Sequence, residues 1–99
     1  MFFVYINYST SFNKYYIGHS DDPWRRLLEH NDPKYNKYTS KYRPWELKAA
    51  ITIGEIRGEA MIVESYLKDL KSRKIIEQII NRQSDQEYIN YLIKKALGG

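Results

Sequence analysis

Two runs of aromatic and β-branched residues, Phe2 to Tyr8 and Lys14 to Gly18, flank the polar stretch Ser9-Thr10-Ser11-Phe12-Asn13. Residues of the first kind favour extended backbone and the intervening ones favour a turn, so an antiparallel hairpin is predicted at the N-terminus. A hairpin cannot stand alone in water, and a chain of 99 residues can build one core but not two. Everything downstream must therefore cover this hairpin.

The downstream pattern supplies the cover. Asp22-Pro23 offers an N-cap and an N1 proline, and Trp24, Leu27 and Leu28 follow at helical spacing, which predicts a helix from about Pro23 to His30, stopped by Asn31-Asp32-Pro33. From Glu46 to Ile53, Leu47, Ala49, Ile51 and Ile53 alternate with mostly polar neighbours, as in a strand with one buried face. Gly58 opens a second long helix ending near Lys71, with Ala60, Val63, Leu67 and Leu70 as its apolar stripe. Ser72 can cap a third helix bearing Ile75, Ile76, Ile79 and Ile80. Ser84-Asp85-Gln86-Glu87 reads as a capping box for a last helix with Ile89, Leu92, Ile93 and Ala96 on one side. Gly98-Gly99 reads as a frayed end. The expected order is β-β-α-β-α-α plus a C-terminal helix: an α+β domain over residues 1–83, with residues 84–99 a helical extension packed on it.

Cysteine is absent, which excludes disulfides and thiolate metal sites and suits a cytoplasmic protein. The apolar N-terminus lacks a basic flank and a small-residue cleavage site, and no apolar run approaches the ~20 residues of a membrane span. The net charge of +4 is concentrated: between Trp24 and Arg43 stand Arg25, Arg26, Lys34, Lys37, Lys41 and Arg43 against Glu29 and Asp32, with Tyr35, Tyr38 and Tyr42 interleaved. Cations that meet phosphates and rings that stack on bases suit a nucleic-acid surface, and a solvated basic loop with tyrosines packed on the core has the same composition.

Val4-Tyr5-Ile6, Tyr16-Ile17-Gly18, Arg25-Arg26, His30-Asn31 and the Glu-Ala-Met-x-x-Glu segment from Glu59 to Glu64 together resemble the GIY-YIG nuclease superfamily. The resemblance spans about Phe3 to Glu77 and is nearest to the short stand-alone bacterial (YhbQ-like) members, with the UvrC N-terminal nuclease domain as a more distant relative. It implies the GIY-YIG fold, endonuclease activity on nucleic acid, DNA foremost and related to repair, and an active site of Tyr5, Tyr16, Arg26 and Glu64 around one divalent ion, Mg²⁺ or Mn²⁺, held by Glu64. Arg26 rather than Arg25 falls ten positions after the tyrosine of Tyr16-Ile17-Gly18, as the family arginine does. His30, four residues on, matches a histidine that some members place beside the attacking water. The sequence departs from the family in lacking the leading glycine at Phe3 and in carrying His19 where several relatives have lysine.

The residue types fit that chemistry. Phosphodiester hydrolysis needs an activated water, compensation of charge on the phosphorane oxygens and help for the leaving oxygen. A carboxylate is a hard ligand for Mg²⁺, a guanidinium can fork onto phosphate, and a tyrosine can handle a proton if its neighbours permit, Tyr5 being favoured as base with Tyr16 orienting the water or phosphate. His19, Arg25, Lys34, Lys37, Lys41 and Arg43 are the expected nucleic-acid contacts. Each residue also has an ordinary reading: Glu64 paired with Lys68 at i+4, tyrosines packing in strands, Arg26 on the surface, His30 at a helix C-terminus. A non-catalytic nucleic-acid-binding module on the same fold is the alternative, and a protein-interaction domain a third.

Overall fold

A computed structural model describes residues 1–35 and 37–98; the side chain of Lys37, and Gly99 of the expected frayed end, lie outside that description. The hairpin is formed: β1 (Phe2–Ser9) pairs antiparallel with β2 (Lys14–Ser20). Asn13 takes the left-handed conformation at φ 51° that closes the turn, and its side chain accepts a hydrogen bond from the Tyr8 hydroxyl at 2.6 Å. β3 (Trp45–Gly54) joins the other side of β1, so the sheet among the described residues has three antiparallel strands in the order β2-β1-β3.

The predicted alternation along β3 holds in its middle and fails at its ends. Register shifts leave Lys48 and Ile53 without a partner across from β1; Ala49 and Ile51 are buried, whereas Leu47 and Ile53 are only half-buried.

α1 (Pro23–Asn31) starts where predicted, with the Asp22 side chain accepting from the Arg25 N–H. It buries Pro23 and His30, seven residues or two turns apart, and so turns Trp24 and Leu28 outward instead of into the core. The short helix α2 (Lys37–Ser40) follows, an element the basic loop did not signal because four residues carry no period.

α3 (Arg57–Leu70) buries Ala60, Val63 and Leu67. Leu70 is exposed, not a member of the stripe, because the helix ends there with Lys71 in the left-handed conformation. α4 (Arg73–Asn81) is capped by Ser72 as predicted, accepting from the Ile75 N–H. α5 (Gln86–Ala96) is capped by Asp85, not Ser84: the carboxylate is the stronger acceptor for the Tyr88 N–H at the positive helix end, and Arg82 holds it at 2.8 Å.

The core joins Val4, Ile6, Ile17, Ala49 and Ile51 of the sheet to Ala60, Val63, Leu67, Ile79, Ile89 and Leu92 of the helices. Burying each of the valine, isoleucine and leucine side chains among them stabilises by ~1.5–3 kcal/mol before chain entropy is subtracted. No helix is long and apolar enough to cross a membrane among the described residues.

Candidate active site

Tyr5 lies on the central strand, 1% exposed, opposite Gly18 of β2. Glycine is required there, since a Cβ at position 18 would collide with the phenol. Tyr16 pairs across from Asn7, so Tyr5 and Tyr16 stand diagonally on the same face, with ring centroids 6.3 Å apart. The amide of Asn7 is fully buried beneath them and has no hydrogen-bond partner among the described residues.

His30 comes to this face from the end of α1. Its Nε2 is 2.7 Å from the Tyr5 hydroxyl, its ring 4.8 Å from that of Tyr16, and its Nδ1 3.0 Å from Oγ1 of Thr39 on α2. Trp45 braces the arrangement: its N–H donates to Asn31 Oδ1 at 2.6 Å, its carbonyl accepts from Asn31 Nδ2 at 3.1 Å, and its indole N–H donates to the Thr39 carbonyl at 2.7 Å. The end of α1, α2 and the start of β3 are thereby fastened behind His30.

Burial holds these groups in their neutral forms. It pushes the Tyr5 phenol up to about 12, helped by the neighbouring Tyr16 and opposed by Arg26. It pushes His30 down to about 4, reinforced by the positive charge of Arg26. Arg26 lies on α1 one turn before His30, and its positive charge acts on the Tyr5 phenol. In the tautomer protonated at Nδ1 toward Thr39, neutral His30 has Nε2 free to accept from the Tyr5 O–H. Arg26 also pairs with Glu29 at 2.5 Å, with 30% of its side chain exposed to solvent.

Glu64 projects from α3 toward β2. His19 Nδ1 is 2.6 Å from one carboxylate oxygen and Lys68 Nζ 2.7 Å from the other. The i+4 pair with Lys68 and the orientation toward the sheet therefore coexist. The charge of Glu64 reaches Tyr5, raising its pKa further, and Lys68 Nζ lies 5.6 Å from the centre of the Tyr16 ring. Among the described residues no three His, Cys, Asp or Glu side chains group around a point that could hold a metal. A lone carboxylate still has the donor chemistry of a Mg²⁺ site, because that ion keeps several waters and takes phosphate oxygens as ligands. An ion at Glu64 would share the carboxylate with His19 and Lys68 or displace one of them.

The remaining predicted contacts are scattered. His19 is committed to Glu64, and Arg25 pairs with Asp21 at 2.9 Å and Glu29 at 3.7 Å. Lys34, Lys41 and Arg43 are exposed, Lys41 lying 5.4 Å from the centre of the Tyr42 ring. Sequence reasoning missed Thr39, whose place under His30 depends on a turn of α2, and it gave Lys68 no part beyond an ordinary ion pair.

The family model described as "GIY-YIG catalytic domain" matches residues 1–77. The chain is similar to the UPF0213 protein YazA of Bacillus subtilis, 36% identical over 77 residues that make up 78% of this chain and 77% of the relative. It is similar to a UPF0213 protein of Streptococcus pneumoniae, 36% identical over 78% of this chain and 76% of the relative. UPF0213 protein lwe0147 of Listeria welshimeri is 35% identical over 76% of this chain and 82% of its own length. These names do not bear on the narrower affinity to YhbQ-like or UvrC-like members. No solved structure matches the chain.

Proposed function

The chain belongs to the GIY-YIG catalytic domain family, and from that premise we propose that it binds nucleic acid, with DNA the expected form, at the face shared by Tyr5, Tyr16 and Arg26. The observation that carries this reading is the convergence of Tyr5, Tyr16, Arg26 and His30 from β1, β2 and α1 into one contacting group beside a partly exposed guanidinium. Arg26 can exchange its Glu29 partner for a phosphate, which it can grip with two N–H groups.

Cleavage is the finer proposal. Glu64 would hold one Mg²⁺ or Mn²⁺, which when bound supplies positive charge to the phosphate oxygens. Arg26 stabilises the same charge. Tyr5 and His30 form a neutral relay in which the phenol oxygen takes a proton from water as its own passes to Nε2. Burial holds the His30 pKa down and the charge of Arg26 adds to it; a phosphate arriving beside Arg26 offsets that second part, and so makes His30 a better acceptor.

Binding without cleavage is the second reading, favoured by one observation. Both oxygens of Glu64 already have cationic or histidine partners, so the carboxylate is stably placed without an ion.

Incubation with labelled DNA and RNA of several structures in Mg²⁺, Mn²⁺ or EDTA separates the readings. Metal-dependent products lost in Glu64→Gln support cleavage, and binding without products supports the module. Absence of binding to every form overturns both. If cleavage occurs, Arg26→Ala is expected to lower turnover by about a hundredfold or more, whereas Lys34→Ala and Lys41→Ala weaken binding and flatten its salt dependence by about one unit of slope each.

A further inference from the structure

β2 is an edge strand, and along it runs a groove of about 430 Å³ walled by Tyr15, Tyr16, Tyr38, Lys68, Lys71 and Arg73 among its residues. We propose that this groove is a nucleotide subsite: an unpaired base stacks on Tyr38 while its flanking phosphates meet Lys71 and Arg73. The proposal rests on the nucleic-acid reading above and extends it to a second place on the chain.

The charges favour a polyanion. Lys68 serves Glu64, and Arg73 serves Glu77 and Asn13, but the ammonium of Lys71 has no partner among the described residues. Lys71 stands at φ 48° where α3 stops, and Ser72 caps α4 immediately after it. That tight junction brings Lys71 and Arg73 to one rim. Lys14, whose Nζ lies 5.6 Å from the Tyr38 ring centre and 4.5 Å from that of Tyr42, adds positive charge at the other end of the tyrosine surface.

The shape and chemistry select a nucleotide among polyanions. The volume falls within the ~300–1,000 Å³ of sites that hold small ligands. An acidic peptide would use the cations but has no need of tyrosine faces, whereas a base presents a π-face to each ring it meets. Tyr38 is 53% exposed even with the Tyr42 ring edge-on at 5.4 Å and Lys14 Nζ 5.6 Å from its centre. A base still paired in a duplex cannot lie flat on it. Tyr16 and Lys68 belong both to the groove and to the surroundings of Tyr5 and Glu64, so a strand held at Arg26 continues into the groove.

The test is fluorescence anisotropy with labelled oligo(dT) and with a duplex of equal length, in EDTA so that no cleavage intervenes. Wild type is expected to bind the single strand more tightly than the duplex. Tyr38→Ala and Lys71→Glu should each weaken single-strand binding by about tenfold, Tyr38→Phe should stay within about twofold of wild type, and Lys71→Gln should flatten the salt dependence by about 0.7 of a unit. Circular dichroism checks that each variant is folded. If Tyr38→Ala and Lys71→Glu leave single-strand binding unchanged while Arg26→Ala weakens it, the groove is not a subsite although the nucleic-acid reading stands. Duplex binding as tight as single-strand binding also overturns the subsite. If neither oligonucleotide binds, that reading and the subsite fall together.

Discussion

The Tyr5 phenol and the His30 imidazole, 25 positions apart in the chain, meet in a 2.7 Å hydrogen bond that satisfies two buried polar groups at once. Removing one partner leaves the other buried without it. Tyr5→Phe keeps the packed ring but strands His30 Nε2, so stability should fall by ~1–3 kcal/mol in urea denaturation. A loss near zero would mean that the bond contributes nothing to the fold. If the chain cleaves nucleic acid, the same substitution should slow single-turnover cleavage at least ~tenfold.

The two groups should also shape stability against pH, in opposite directions. His30 titrates near 4 in the folded protein against an ordinary 6.5, so the unfolded chain binds its proton more readily. Its contribution is present above the ordinary value and is lost as pH falls from about 6.5 toward 4, by at most ~3 kcal/mol. Tyr5, raised to about 12, keeps its contribution below pH 10 and loses it as pH climbs from 10 to 12. Urea midpoints measured across the acid range should show the first effect, and His30→Gln should flatten it while lowering stability at neutral pH.

Gly18→Ala should act on Tyr5 without touching its chemistry. The added methyl would occupy the space of the phenol, and both residues sit in paired strands that resist adjustment. A loss of ~1–3 kcal/mol is expected, with a shifted Tyr5 hydroxyl resonance in NMR spectra. An unaltered resonance together with wild-type stability would show that the phenol does not press on Gly18.

Glu64 and Lys68 offer a test of metal binding apart from activity. Lys68→Ala frees one oxygen of the carboxylate, and calorimetry should show Mn²⁺ binding several-fold tighter than in wild type, whereas Glu64→Gln should abolish it. Equal Mn²⁺ binding by all three proteins would remove Glu64 from the metal site.

Local chemistry explains which parts of this architecture could be read in advance. The strands announced themselves through aromatic and β-branched runs, and Asp22 and Ser72 through cap chemistry at helix starts. Arg26 and His30 fell on one side of α1 by spacing alone. What escaped depends on distant packing: whether Trp24 and Leu28 face inward is decided by which side of α1 meets the sheet, and here Pro23 and His30 take that side. The capping box put the cap of α5 at Ser84, whereas Asp85, held by Arg82, takes that place. The groove beside β2 unites residues from a strand, α2 and the α3–α4 junction, which no spacing rule connects.

The placement of Tyr5 on β1 has a consequence for how the site opens. β1 is bonded on both sides, while β2 has a free edge. Amide hydrogens with which β1 pairs to β3 should therefore exchange with solvent only when the whole domain unfolds, and those bonded between β1 and β2 through smaller local openings. The phenol is thus anchored in the slowest-exchanging part of the molecule, whereas Tyr16, Gly18 and His19 ride on a strand that can breathe independently of it.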